Sequence, residues 1–245
     1  MQRKELIAEL RSAALVIAAI LVARTLLGAF YYVPSGSMEP TLRIGDLILA
    51  TKYPYGYSRY STPLDLHVSG RLLGKLPKRG DVVVFQAPQN PDETMVKRVI
   101  GLPGDTLQMV AGHVVINGEE LALRPDGEDA VESRGGGNEN LERFIETLPG
   151  GYEHPIVKRG WNGYLDNTGV YTIPPDRLFM MGDNRDNSSD SRVPPSANGP
   201  GLVPVENLIG RADAVIGSWD FLYARQNIVN WFSSLRIARF FSVVR

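Results

Sequence analysis

The sequence contains no cysteine, only three histidines and almost no net charge, and each shortage excludes a class of function. Without cysteine, the 245-residue chain cannot form disulfides, use a thiolate nucleophile or hold a zinc–thiolate or Cys-ligated iron–sulfur site. With 26 basic and 27 acidic residues, its formal charge of -1 offers no basic surface for nucleic acid. Serine, threonine, lysine and the carboxylates remain as candidate nucleophiles.

Glycine and proline are frequent, with 25 and 17 residues, which favours many short elements joined by turns. Short runs rich in β-branched residues predict strands, and Asn117-Gly118 predicts a two-residue hairpin turn. The predicted strands are 47–51, 82–85, 95–100, 113–116, 178–181 and 212–216. We therefore predict a mainly β protein, with an antiparallel sheet or barrel-like main domain.

The N-terminal region contains an uncharged, mostly aliphatic run over 12–23, bounded by Arg11 and Arg24. Twelve helical residues span about 18 Å, which is short of the roughly 30 Å hydrocarbon core of a membrane. If the Arg24 side chain extends to one interface, the helix can continue through Phe30 and form one spanning anchor. We predict a cytoplasmic segment 1–11, because basic residues precede the run, an anchor over 12–30, and residues 31–245 outside.

Two other interpretations of this run stay open. A basic start followed by a short apolar run is also typical of a cleaved signal peptide, although no small-x-small triplet precedes Arg24. An amphipathic helix lying at the membrane interface is the third interpretation.

Two later segments have unusual composition. Residues 124–151 are polar and glycine-rich, which indicates a mobile loop or insertion without a catalytic role, within a peripheral β-rich insertion over about 106–176. Near the C-terminus, 223–242 has an amphipathic pattern, most clearly over 231–240, which either lies on a membrane surface or packs on the body.

Neither histidine nor metal offers an obvious catalytic group. His67, His113 and His154 are isolated in the sequence, and a structural role is more common for such residues. The oxygen-rich run 183–190 lacks the glycine and glutamate that a calcium loop requires, and there is no His-Glu-x-x-His motif. We therefore expect no metal.

Lysine is the remaining candidate base. Lys97 lies in the apolar run 95–100, where strand alternation places Met95 and Val99 on its face and Arg98 on the other. Burial disfavours a charged ammonium, so a buried lysine can lose its proton near neutral pH. An exposed lysine that protects a sheet edge is the alternative interpretation.

Three long motifs follow one another along the chain. The motifs are Pro34-Ser35-Gly36-Ser37-Met38-Glu39-Pro40-Thr41-Leu42, then Lys97-Arg98-Val99-Ile100-Gly101-Leu102-Pro103-Gly104-Asp105, and Met181-Gly182-Asp183-Asn184-Arg185-Asp186-Asn187-Ser188-Ser189-Asp190-Ser191-Arg192. Their order resembles that of the motif boxes of bacterial type I signal peptidases, which are membrane-bound serine peptidases with a Ser/Lys dyad. The resemblance covers nearly the whole chain, including the N-terminal anchor.

The resemblance implies a role for each matching residue. Ser37 corresponds to the nucleophile and Lys97 to the general base, while the Ser35 hydroxyl and the Ser37 backbone N–H form the oxyanion hole. Ser188 corresponds to the serine that orients the lysine amine. Gly182, Asp190 and Arg192 correspond to positions that frame the site, the last two as an ion pair.

Three apolar residues beside these positions are candidates for shallow substrate pockets, with plain core packing as the alternative. They are Val33, Met38 and Val96.

The resemblance implies an endopeptidase that removes signal peptides from exported preproteins through an acyl-enzyme, without any cofactor. Its substrates would carry small residues at the first and third positions before the cut, and the enzyme would sit in the bacterial cytoplasmic (inner) membrane, in contact with lipid, with its catalytic domain on the outer side. A specialised peptidase with the same dyad, for example for pilin, and an inactive β-rich binding or assembly factor are the alternatives. A self-cleaving repressor would need a DNA-binding domain where this chain has its apolar run.

Overall fold

The computed structural model describes residues 2–61, 70–132, 137–220 and 233–245. These residues form one long helix, α1 (Gln2–Leu26), and fifteen strands with antiparallel pairing. The strands are β1 (Gly28–Tyr32), β2 (Asp46–Thr51), β3 (Val82–Gln86), β4 (Thr94–Gly101), β5 (Thr106–Val110), β6 (His113–Ile116), β7 (Glu119–Glu120), β8 (Ala122–Glu132), β9 (Asn138–Leu148), β10 (Tyr152–Lys158), β11 (Tyr171–Thr172), β12 (Arg177–Met181), β13 (Val203–Pro204), β14 (Leu208–Ser218) and β15 (Ser242–Val243). The mainly β, antiparallel fold predicted from the sequence is confirmed, and all six predicted strands are present.

The helix α1 contains a 22-residue segment, Glu5–Leu26, that is long and apolar enough to cross a membrane. Its apolar side chains are exposed, with Leu15 71% accessible, so the protein body does not cover them. The predicted continuation of the helix to Phe30 is wrong. Gly28 instead begins β1 opposite Thr51 of β2, and a side chain at Gly28 would collide with the backbone carbonyl of Ala50.

The main sheet has the order β1-β2-β14-β3-β4-β12-β13, and β15 extends it by pairing with β14. The strand β14 changes register against both β2 and β3, and such irregularities let a strand bend. Alternation in β3 sends Val82 and Val84 to one hydrophobic cluster, which also holds Met38, and Val83 and Phe85 to another. The three-residue turn that carries Ser37 therefore packs on a fully buried part of the sheet.

Two strands of the main sheet leave an edge open beside this turn. The strand β1 is an edge strand. The strand β4 pairs with β3 along Thr94–Arg98, but β12 joins its other side only from Arg98 to Gly101. Within the described residues, the Thr94–Lys97 half of β4 therefore has one edge without a partner strand.

The peripheral insertion is β-rich, as predicted, and forms two small sheets with the orders β10-β9-β8 and β11-β5-β6-β7. The predicted turn at Asn117-Gly118 joins β6 to β7, and both residues have positive φ, as a type I′ turn requires. The loop predicted over 124–151 is wrong, because most of it forms the β8–β9 hairpin. The segment is rich in charged residues, which is typical of a loop in the sequence. In the structure several of them form ion pairs across the hairpin, for example Arg143 with Asp126.

The C-terminal amphipathic prediction falls partly outside the described residues, because 221–232 are not among them. The described part lies against the body. Arg236 donates to the Ile44 carbonyl, Arg239 pairs with Asp46, and β15 adds to β14.

Candidate active site

The candidate nucleophile lies in a tight turn between β1 and β2. Residues Gly36–Met38 form a single 3-10 turn, and Ser37 and Met38 are both buried. The backbone N–H groups at the start of such a turn have no partner within it, so they are available as hydrogen-bond donors. The sequence therefore places a serine hydroxyl close to free backbone donors.

The side chain of Lys97 reaches this turn from β4, and its Nζ lies 2.6 Å from Ser37 Oγ. Only 3% of Lys97 is accessible, so the alternative of an exposed edge lysine is wrong. Burial lowers the pKa of Lys97 to about 8, although nearby carboxylates, chiefly Asp190, oppose the shift. The amine therefore has a substantial neutral fraction at mildly alkaline pH.

The hydroxyl of Ser35 lies on the same turn, with its Oγ 3.5 Å from Ser37 Oγ. Both side chains line one cleft of about 410 Å³ together with Lys97. The Ser35 hydroxyl is thus placed where it can donate to an oxygen atom bound next to Ser37.

The loop after β12 forms the opposite wall of the site. The Asn184 N–H donates to the Ser37 carbonyl at 3.2 Å, which ties this loop to the backbone of the candidate nucleophile. A Cβ atom on Gly182 would lie 2.4 Å from the same carbonyl oxygen and 2.3 Å from Ser188 Oγ. Only glycine therefore lets the two segments approach this closely.

The Ser188 hydroxyl is buried on this wall but has no hydrogen bond of ordinary geometry within the described residues. It still lies close enough to Asp190 to help lower the pKa of that carboxyl. A bond between Ser188 and the Lys97 amine is therefore not formed in this structure, and the orienting role of Ser188 stays a prediction.

Asp190 and Arg192 form a fully buried, bidentate ion pair, with Arg192 Nε and Nη2 each 2.8 Å from a carboxylate oxygen. The Gly182 N–H also donates to Asp190, and Arg192 donates to the Arg185 carbonyl. Although burial alone would raise the pKa of Asp190, the guanidinium lowers it. The pair fixes the loop that carries Ser188.

A second buried network joins β4, the strand that carries Lys97, to the insertion. Arg98 binds Asp183 through two bonds of 2.8 and 2.6 Å, and His154 Nδ1 lies 3.5 Å from the same carboxylate. On its other side, His154 Nε2 lies 3.1 Å from Glu146, which pairs with Arg185. Arg98 pairs with Asp183 and Arg185 pairs with Glu146, so each of these four buried charges has a partner.

The residues predicted to form substrate pockets lie in one hydrophobic cluster. Val33 and Met38 are 4% and 1% accessible, and Val96 packs against them. The cleft beside the dyad is lined instead by Met95 and Ile44. A pocket role for the three predicted residues stays a prediction. Strand alternation places Met95 on the same face as Lys97, so the sequence could have predicted that Met95 lines the cleft.

Glu39 is a site residue that sequence reasoning missed. It is 2% accessible, and its carboxylate accepts hydrogen bonds of 3.1 and 3.4 Å from the Glu132 N–H. A Cβ on Gly36 would lie 2.6 Å from Glu39 Oε2, so the carboxylate lies directly against the turn that carries Ser37. Burial raises the pKa of Glu39 to about 7.

The described histidines have structural partners. His113 stacks on Trp161 at 5.0 Å, and His154 belongs to the buried network. His67 lies outside the described residues.

A family model and curated relatives agree on one family. The family model described as "Signal peptidase, peptidase S26" matches residues 6–219. Proteins named signal peptidase I from Rickettsia typhi and Rickettsia akari are each 36% identical to this chain, covering 95% and 94% of it and 92% and 90% of their own lengths. A crystal structure of a signal peptidase I from Enterococcus faecalis is 27% identical, with a TM-score of 0.32, over 56% of this chain and 97% of that one.

Proposed function

The chain belongs to the signal peptidase family, peptidase S26, and from that premise we propose that Ser37 and Lys97 form the dyad with which it removes signal peptides. Family membership makes the protein a serine endopeptidase whose substrates are preproteins. The observation that carries the dyad is the 2.6 Å contact between Lys97 Nζ and Ser37 Oγ in a buried site.

Catalysis begins with neutral Lys97, because a protonated amine cannot accept the proton of Ser37. Lys97 takes that proton while Ser37 Oγ attacks the carbonyl carbon of the scissile bond. The resulting ammonium then protonates the leaving amine, which leaves an acyl-enzyme on Ser37. Water, deprotonated by the same amine, releases the signal peptide and restores the serine. Both half-reactions use chain residues alone, and no cofactor is proposed.

The tetrahedral intermediate places negative charge on the former carbonyl oxygen. We assign its stabilisation to the Ser37 backbone N–H and the Ser35 hydroxyl, which lie on one rigid turn. Donors fixed in advance cost little reorganisation when the charge develops, and each such donor contributes about 10² to 10³ in kcat.

The substrate segment before the cut fits the open edges beside the dyad as an added strand. The free edge of β4 over Thr94–Lys97 leads directly to the general base, and β1 leads through Val33 to the nucleophile. Backbone hydrogen bonds would hold the segment, and the shallow walls around Met95 and Ile44 favour small side chains near the cut.

The helix α1 supports membrane anchoring, since its apolar surface is exposed and it continues almost directly into β1. We propose one membrane pass in the bacterial inner membrane, with the N-terminus in the cytoplasm and the catalytic domain outside. A signal peptide also lies in the membrane, so anchoring brings the enzyme and the cleavage site to the same surface and raises their effective concentration.

The test is processing of a preprotein by detergent-solubilised full-length protein, comparing wild type, Ser37→Ala and Ser233→Ala. We expect the Ser37 variant to lose at least about 10³-fold in rate and the Ser233 control to match wild type. Cleavage by Ser37→Ala at the wild-type rate would remove the nucleophile assignment. If wild type cuts no preprotein, a binding or assembly role becomes the better explanation.

A further inference from the structure

A second cavity lies next to the catalytic cleft, and nothing in the proposed dyad uses it. Its volume is about 680 Å³, within the usual range for ligand sites. Ser188 lies in its wall, and Ser189 lines both this cavity and the catalytic cleft. The two spaces are therefore adjacent at the loop that follows β12.

The charged side chains around this cavity already have partners inside the protein. Arg159 makes a bidentate pair with Glu139, and Arg185 pairs with buried Glu146. Asp186 accepts from the Arg159 N–H. With these charges paired or hydrogen-bonded, the larger part of the surface left for an occupant is apolar and aromatic and comes from Trp161, Tyr164, Leu165 and Val193. The polar side chains of Asn162, Ser188 and Ser189 provide the rest.

The aromatic wall of the cavity is held in place before anything binds. Trp161 stacks on His113, meets Phe144 edge-on at 5.2 Å and lies 5.1 Å from the Lys158 amine. Tyr164, in contrast to Trp161, is almost fully exposed, with 95% of it accessible. A fixed wall beside an exposed tyrosine suits a side chain that enters from solvent and is then covered by Tyr164.

The sheet determines which part of a substrate can reach this cavity. A segment paired with the free edge of β4 must leave that edge at Lys97, because β12 occupies the edge from Arg98 onward. Past the dyad, the chain therefore turns toward Ser188 and Ser189. The half of the substrate before the cut lies on the side of the dyad that faces away from this cavity. This follows because the signal peptide and α1 share the membrane and α1 leads into β1.

We propose that this cavity is a subsite for the start of the mature protein, and that it binds an apolar or aromatic side chain within the first few residues after the cut. The inference rests on the proposed function, because it requires that the dyad cleaves preproteins. The subsite adds a specificity determinant for residues after the cut. The side chain that it recognises stays on the exported protein after cleavage.

The experiment uses full-length enzyme in detergent and peptides with one constant sequence before the cut. Each peptide carries leucine or glycine at one of the first four positions after the cut. At one of these positions, we expect wild type to show a leucine-to-glycine ratio in kcat/KM of about ten, chiefly through KM.

The enzyme variants are Tyr164→Ala and Leu165→Asp, with Tyr53→Ala as the matched control, because Tyr53 is also an exposed tyrosine but lies outside the cavity. We expect both cavity variants to bring the ratio close to one and the control to keep it at ten. Leu165 is partly buried, so Tyr164→Ala keeps the test valid if Leu165→Asp does not fold.

A ratio near one at all four positions in wild type, or a ratio unchanged in Tyr164→Ala, would overturn the subsite while leaving the dyad intact. Failure of wild type to cleave every peptide and a full-length preprotein would instead overturn the proposed function, and this subsite with it.

Discussion

The amine of Lys97 lies 2.6 Å from the hydroxyl of Ser37, although the two residues are sixty positions apart in the chain. The contact forms because a turn on the β1–β2 connection and the unpaired half of β4 meet over one hydrophobic cluster. Burial of the lysine follows from the same packing, and with it the lowered pKa.

This pair predicts the pH dependence of the reaction. Because burial lowers the pKa of Lys97 to about 8, protonated lysine predominates below that value and only the neutral form can act as base. We expect kcat/KM to rise about tenfold per pH unit on the acidic side and to level off above about 8. Lys97→Arg stays charged and should lose at least about 10³-fold, whereas exposed Lys78→Arg should match wild type. Substantial activity in Lys97→Arg would remove Lys97 from the mechanism.

The oxyanion role predicts a selective effect at Ser35. Removing its hydroxyl takes away a donor that acts mainly in the transition state, so Ser35→Ala should lower kcat about 10² to 10³-fold with little change in KM. Ser35→Thr keeps the donor and should retain much more activity. Steady-state kinetics on one preprotein peptide separate these effects, and equal losses in both variants would contradict the assignment.

The contact at Gly182 predicts that one methyl group disturbs the site. In Gly182→Ala, the new Cβ would collide with the Ser37 carbonyl, and a displacement of about 1 Å in a catalytic group costs about 10² in rate. We expect a loss of that size in kcat/KM. Gly169→Ala is the matched control, because a Cβ there meets nothing within 4 Å and it should behave as wild type. An active Gly182→Ala enzyme would show that the loop after β12 can shift without cost.

Sequence reasoning identified the strands and the family better than it identified the long-range partners. Alternation placed Lys97 and Arg98 on opposite faces of β4, and the resemblance selected Lys97 as base. Alternation does not say which residue a buried charge meets, so the pairing of Arg185 with Glu146 could not be predicted. Glu146 lies in a segment whose polar composition indicated a loop, because charges paired across a hairpin resemble the charges of a solvated connection.

The buried pair of Arg98 and Asp183 predicts a large loss of stability when one partner is neutralised. Asp183→Asn leaves a buried guanidinium uncompensated, so the free energy of unfolding should fall by about 3–5 kcal/mol at pH 7. The exposed pair of Asp176 and Arg177 gives the control Asp176→Asn, for which we expect less than about 1 kcal/mol.

The Asp183 carboxyl also determines the pH range over which Asp183→Asn is less stable than wild type. Burial alone would raise the pKa of Asp183, but Arg98 and His154 lower it well below its usual range. Its stabilising contribution is therefore complete above the unfolded pKa, about 4, and is lost as the pH falls further. Chemical unfolding at several pH values measures this, and an equal difference at pH 2 and pH 7 would contradict it.

Glu39 predicts an effect of pH on stability that is opposite in sign to the effect of Asp183. Its carboxyl has a pKa of about 7 in the folded protein, raised by burial from an ordinary value of 4.5. The folded state therefore holds this proton more tightly than the unfolded state, so the contribution of Glu39 to stability falls as the pH rises from about 4.5 to 7. Glu39→Gln stays neutral and can still accept from the Glu132 N–H. It should therefore resemble wild type near pH 4.5 and become the more stable protein above pH 7.

The kinetic consequence separates the charge of Glu39 from its position. Glu39→Ala leaves the Glu132 N–H without its acceptor and opens a space against the Ser37 turn, so we expect a cost of about 1–3 kcal/mol in stability and a loss of about tenfold in kcat. Glu39→Gln fills that space and should keep kcat within about twofold, since the turn needs the side chain's shape and acceptor. Thermal unfolding and kcat measured on the same two preparations test this. If the Gln variant loses as much kcat as the Ala variant, the turn requires the carboxylate itself, and Glu39 would influence Ser37 through charge.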